Sequence, residues 1–357
     1  MTSEQRFPRV MPDRSRGFVL VGVVWFLAIM TLLAAAAVLW VERAVIAADE
    51  RGKALRQEVE ARALMARVEW LVATQSYTVA GLTLPNGGTT AAVDMDTSVL
   101  PVGGELPLDG RQLCMTNGWC LTLIDQAARL SLSGIDPRLL ASLLVGLGVS
   151  ADQVPVMVAQ WLDYLHPGVA PQLGAANEVT GRMSQDLLRR RPLRSVMEVF
   201  RLTAWQPWED HLLGAGWTEL VTTDEAALNI NTADARVLSL AWGLPAGAVE
   251  QLLKARRARP LLQMSDLRDV LGAYAGRVPE DGWARLASST LSIRLYPAGS
   301  AQATEYEVRF SSDHRLLPPW QLLLKRSVKI NDRISIPPLA ADAVPGILAA
   351  PLVASPR

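Results

Sequence analysis

The sequence predicts an α+β chain with a long N-terminal transmembrane helix, an antiparallel sheet, and a large α-helical insertion of two helix-hairpin-helix repeats that interrupts the sheet. Three observations predict it. Residues 18–40, FVLVGVVWFLAIMTLLAAAAVLW, carry no charge. Strand-like segments occur at 111–125 and return only after 289. Between them the pattern is helical, and two stretches of it echo each other.

With 357 residues, 50% of them hydrophobic, the chain can form two or three domains and a sizeable core. Its 35 Lys and Arg balance 35 Asp and Glu, which removes the electrostatic footprint expected of a nucleic-acid binder.

At about 1.5 Å per residue, 18–40 make a helix of roughly 35 Å, enough to cross a hydrocarbon core of ~30 Å. Arg6, Arg9, Arg14 and Arg16 stand upstream against Glu4 and Asp13, so the short leader is expected in the cytoplasm and the bulk across the membrane. A cleaved secretory signal is the rival reading. Its apolar core usually spans about 7–15 residues, shorter than this run, although Ala34 to Ala37 could imitate its cleavage site. A plain signal anchor is a further alternative.

Residues 41–75 keep apolar or small side chains at 45, 48, 52, 55, 59, 63, 66, 70 and 73, which describes one stripe on a continuing amphipathic helix. Asp49 with Lys53 and Glu58 with Arg62 have the favourable order for ion pairs on its wet side.

Residues 76–126 are expected to form the first part of the sheet domain. The stretch 76–111 reads as loops with one short strand, and RQLCMTNGWCLTLID at 111–125 as a hairpin. A three-residue loop, Thr116-Asn117-Gly118 with a left-handed Gly118, sets Cys114 opposite Cys120 and allows a disulfide. A two-residue loop, Asn117-Gly118, would set Cys114 opposite Leu121 and leave two small buried thiols. The disulfide is the expected arrangement.

The inserted helical domain is placed at 127–288, with repeats at 127–222 and 223–288. Leu130, Leu132, Asp136 and Leu140 match Leu228, Ile230, Asp234 and Leu238. Leu193, Glu198 and Leu202 match Leu261, Asp266 and Val270. The first copy therefore holds about thirty extra residues, near 163–192. Each copy reads as a short extended lead, a capped helix, a Gly-Leu turn and two further helices. Segments STLSIRLYPAG, TEYEVRF and WQLLLKRSVKI within 289–330 read as a closing meander. The proline-rich 331–357 reads as a flexible tail.

The junction Arg16-Gly17-Phe18, followed by an uncharged helix, resembles the type IV prepilin class. With "LSLSGIDPRLL", "LNINTADARVL", "WLD" at 161–163 and the closing strands, the whole order resembles the large minor pseudopilins of type II secretion systems, the general secretion pathway protein K family. The resemblance implies cleavage after Gly17 by a prepilin peptidase and N-methylation of Phe18. It implies a pilin-like domain carrying SAM-like helical repeats, anchored in the bacterial inner membrane by a single pass with the bulk periplasmic. It also implies a tip complex with minor pseudopilins I and J that starts pseudopilus assembly for protein export. Major pilins carry a glutamate where this chain has Gly22. A subunit without that carboxylate belongs at an end, because an unpaired buried charge is expensive.

Family members can bind calcium. The matching loop offers Asp163, Asn177, Glu178 and Asp186 beside Arg182, Arg189, Arg190 and Arg191, which is thin for an ion that takes about six to eight oxygens, so no cofactor is expected. An alternative function is a membrane-anchored helix-hairpin-helix DNA receptor, with Lys254, Arg256, Arg257 and Arg259 near the phosphates. Neutral overall charge, Pro245 in the hairpin and the lack of a Gly-x-Gly weigh against nucleic acid. His166, His211 and His314 belong to no catalytic or metal motif, so no enzyme is expected. Trp161, Trp205, Trp208, Trp217 and Trp242 are expected in packing.

Overall fold

The computed structural model describes residues 16–84, 99–165, 193–280, 282–311, 318–330 and 346–350, with side chains from Leu20 onward. The chain divides into two units, Met1–Arg62 and Ala63–Arg357, and the division falls inside the first helix, α1 (Arg16–Thr74).

In the first unit the uncharged run carries exposed apolar side chains from Leu20 onward, including Leu20, Trp25, Leu32 and Trp40. It is the helix long and apolar enough to cross a membrane among the described residues. Asp49 pairs with Lys53 at 2.7 Å and Glu58 with Arg62 at 2.5 Å.

In the second unit the last turns of α1 bury Leu64, Met65, Val68, Leu71 and Val72. This corrects the expected stripe. Val45, Leu55, Val59 and Trp70, which define that stripe, are exposed. The expected stripe runs partly through Ala63, Ala66 and Ala73, which gain little by burial. The larger side chains at 64, 65, 68, 71 and 72 follow the same helical spacing on another face.

After the short strands β1 (Tyr77–Thr78) and β2 (Gly81–Leu82) come β3 (Asp109–Cys114) and β4 (Trp119–Asp125), and then, beyond the helical block, β9 (Thr290–Pro297), β10 (Gln302–Phe310) and β11 (Trp320–Lys329). They form one five-stranded sheet in the order β11-β10-β9-β4-β3, with every pairing antiparallel. The sheet is thus interrupted in sequence between β4 and β9, as the α+β reading requires. The central strand β9 and its neighbour β4 are buried almost throughout, with Leu291 and Ile293 of β9 beside Leu121 and Leu123 of β4.

The block between these strands opens with β5 (Leu130–Ser131), followed by α2 (Pro137–Gly146) and α3 (Val154–Leu165). After the segment outside the described residues come α4 (Glu209–Gly214), α5 (Trp217–Leu220) and β6 (Val221–Thr222), which pairs in parallel with β5. The second copy runs β7 (Leu228–Asn229), α6 (Ala235–Trp242), α7 (Ala246–Ala258), α8 (Met264–Leu271) and β8 (Trp283–Ala284), and β7 again pairs in parallel with β8. Each copy is therefore clasped by a two-residue parallel pair at its ends.

Asp136 caps α2 through the amides of Arg138 and Leu139, and Asp234 caps α6 through that of Val237. Gly243 closes α6 in the left-handed conformation, φ 60°, that favours glycine. Both copies share one core, in which Leu132, Leu140, Trp205, Trp217, Ile230, Leu238 and Leu267 are fully buried. Trp205 meets Trp217 edge to face with centroids 5.4 Å apart, and their indole N–H groups donate to the Met157 and Val196 carbonyls.

Within 331–357, Gly346–Ala349 form a helical turn, α9, with Leu348 fully buried. Arg67 donates to the carbonyls of Ile347 and Ala350, and Asn117 to that of Leu348. Residues 346–350, within the stretch expected to be a flexible tail, are thus tied to α1 and to the β3–β4 turn.

Candidate functional site

Gly17 and Phe18 lie in the first turns of α1, and nothing of the Phe18 side chain is described. The leader 1–15 lies outside the described residues. Gly22 sits on the exposed apolar helix, and a Cβ there would meet nothing within 4 Å. No packing demand among the described residues therefore requires glycine at this position.

Cys114 faces Cys120 across β3 and β4, and their sulfurs form a disulfide. The turn is the three-residue one: Met115 donates to Trp119, Gly118 donates back to Met115, and Gly118 adopts φ 83°.

Two buried polar nodes that residue patterns did not reveal fix the insertion to the sheet. β4 ends on fully buried Asp125. One carboxylate oxygen accepts from the amides of Ala127 and Ser288, each at 2.9 Å. The other accepts from the Asn229 amide at 2.8 Å and the Thr232 hydroxyl at 2.9 Å. One side chain thus binds the point where the chain leaves the sheet, the start of the second repeat, and the return before β9. Burial pushes this carboxyl up, against the pull of its four donors.

The second node surrounds Glu305 on β10. Its carboxylate receives Arg294 of β9 at 2.8 Å, Arg326 of β11 at 3.0 Å and the Ser292 hydroxyl at 3.2 Å, with Arg129 at 3.9 Å. Arg294 also reaches Glu219 of α5 at 3.0 Å. Burial alone would raise the Glu305 pKa, but the guanidinium groups of Arg129, Arg294 and Arg326 outweigh it and hold the group at about 2. Burial acts the other way on Arg129 and lowers it. The available signal was the presence of Arg294 and Glu305 inside apolar strand segments, where a charge needs a partner.

The basic face named as the alternative nucleic-acid contact is engaged within the fold only in part. Arg256 donates to the Ile230 and Ala233 carbonyls, and Arg259 pairs with Asp266 at 2.9 Å. Arg277 covers the hairpin by donating to the Gly243 carbonyl. Lys254 and Arg257 remain on the surface. His211 donates from Nε2 to the Leu147 carbonyl at 2.8 Å, a packing role beside Trp208. His166 and His314 lie outside the described residues. Of the loop oxygens named for calcium, Asp163 lies in the last turn of α3, and Asn177, Glu178 and Asp186 lie outside the described residues. Among the described residues no group of three His, Cys, Asp or Glu could hold a metal.

These features define an α+β chain with an N-terminal apolar helix and an interrupted antiparallel sheet. No protein-family profile and no curated protein sequence matches the chain. Among solved structures it is similar to a chain of the GspK-GspI-GspJ complex from the type 2 secretion system of enterotoxigenic Escherichia coli. The identity is 14% and the TM-score 0.46, over 79% of this chain and 98% of that one. At that level the likeness adds nothing to what the strand order establishes by itself.

Proposed function

We propose that the chain is a minor pseudopilin, anchored in the bacterial inner membrane by α1 and placed at the tip of a type II secretion pseudopilus with minor pseudopilins I and J. The observation that carries this reading is the charge-free stretch of α1, exposed from Leu20 to Trp40, with open space among the described residues at Gly22 where a major subunit has a carboxylate. Such a helix gains by leaving the bilayer only if other helices cover it. A subunit that offers no charge to a neighbour's amine suits the position with no neighbour beyond it. The pilin-like arrangement of helix and sheet, interrupted by helical repeats, supports the same reading.

The test is the mature N-terminus. Intact mass of the membrane-extracted chain, co-expressed with a prepilin peptidase, is expected to begin at N-methylated Phe18. Retention of residues 1–17, or a cut near Ala37, overturns the proposal. The full chain is also expected to form a complex with minor pseudopilins I and J of its own system at micromolar concentration.

A further inference from the structure

The sheet has two edges, and they differ. β3 is short, carries a register shift between Asp109 and Gln112, and contains Gly110 at φ 83°. These irregularities blunt an edge. β11 spans ten residues and bonds only to β10 among the described residues. Its outer N–H and C=O groups have no partner there.

The side chains of β11 change character along its length. Residues paired across an antiparallel ladder share a face. Through Trp320↔Phe310, Leu322↔Val308, Lys325↔Tyr306, Ser327↔Thr304 and Lys329↔Gln302, one face of β11 reads Trp, Leu, Lys, Ser, Lys. The register shift opposite Glu307 and Val308 leaves Leu323 as the extra residue. Trp320 is 37% exposed, Leu322 51% and Leu323 37%. Lys325 and Lys329 are exposed, with Lys325 over the Tyr306 ring at 5.5 Å. Lysines alone are an ordinary guard against edge pairing, but here the guard covers one half of the strand and an apolar run occupies the other.

We propose that the outer edge of β11 takes an extended segment of a partner protein as an added antiparallel strand, acidic in its first half and apolar in its second. Main-chain bonds supply the pairing, and the alternate side chains supply the choice of partner. Acidic residues then stand beside Lys329 and Lys325, and apolar ones beside Leu322 and Trp320. A second copy of this chain fits poorly, because antiparallel self-pairing sets the apolar half of one β11 against the basic half of the other. The proposal does not depend on processing at Gly17 or on location at a pseudopilus tip.

The test uses the full chain in detergent and a fluorescent ten-residue peptide with Asp alternating with Thr in its first half and Val with Thr in its second. Binding is expected to weaken at least tenfold with Lys in place of Asp, and at least tenfold when the amides facing β11 are N-methylated. The K325E/K329E variant is expected to lose the acidic peptide and to take the lysine peptide instead, a gain that a misfolded protein could not give. Equal binding of the N-methylated peptide, absence of binding by every peptide, or self-association of the chain through β11 each overturns the proposal.

Discussion

The guanidinium of Arg294 donates to the Glu219 carboxylate at 3.0 Å, so a strand of the sheet and a short helix of the insertion meet in an ion pair. Arg294 is shared with Glu305, whose carboxylate also holds Arg326. Removing one member of such a buried set leaves the others uncompensated. Glu305→Gln is therefore expected to destabilise the protein by about 3–5 kcal/mol in urea unfolding. The pH dependence has a definite sign. Glu305 titrates at about 2 when folded, against 4.5 for an ordinary glutamate, so its contribution is present above pH 4.5 and is lost as pH falls towards 2. The stability difference between the wild-type chain and Glu305→Gln is expected to shrink across that window.

Asp136 and Asp234 occupy equivalent caps. Asp136 accepts from the Arg138 amide at 2.7 Å, and Asp234 from the Val237 amide at 2.8 Å. Replacing either with Ala is expected to cost about 1 kcal/mol in thermal or urea unfolding, and replacing either with Asn to restore most of it, since Asn caps about as well.

The repeats were legible in sequence because their signals are local. Cap, helix and turn lie within a few residues of one another, and the match extends to detail. Asp266 accepts from the Leu262 amide at 2.8 Å, and Glu198 accepts from the equivalent Arg194 amide at 3.3 Å. The hairpin was legible for the same reason, through Gly118 in a left-handed turn. The Glu305 cluster was not. Arg129 and Glu219 reach it from the inserted block, and their proximity depends on strand order rather than on spacing. Asp125 was missed likewise, because its partners Asn229 and Ser288 lie far along the chain. On α1 the periodicity was real but admitted two faces, and only the packing of Leu64, Val68 and Leu71 chose between them.

The disulfide closes a small loop, with a sequence separation of 6 between Cys114 and Cys120. A loop of this size restricts the unfolded chain by about 2 kcal/mol in the chain-entropy description. Cys114→Ser with Cys120→Ser is expected to lower stability by about that amount, and a reducing agent is expected to lower the wild-type chain but not the double variant. Equal loss in both on reduction would place the effect elsewhere.

Arg67 and Asn117 hold the 346–350 turn through its carbonyls, and Leu348 is fully buried beneath it. Leu348→Ala removes buried apolar volume and is expected to cost about 2–4 kcal/mol if the segment unfolds only with the rest of the protein. If the segment opens by itself, the cost appears instead as faster hydrogen exchange at 346–350 with little change in global unfolding. Exchange measured by mass spectrometry on the full chain separates the two outcomes.

Gly22 offers the most direct handle on assembly. Nothing among the described residues lies within 4 Å of a Cβ at this position, so Gly22→Glu introduces a carboxylate without a clash there. The folded second unit, which begins at Ala63, is expected to keep its unfolding midpoint. On the proposed reading, the added charge gives this subunit what a filament neighbour's amine requires. The variant should then appear along pseudopili in immunogold images, where the wild-type chain marks only an end. Unchanged end labelling would mean that the bulk of the helical insertion, and not the missing carboxylate, restricts the subunit to its place.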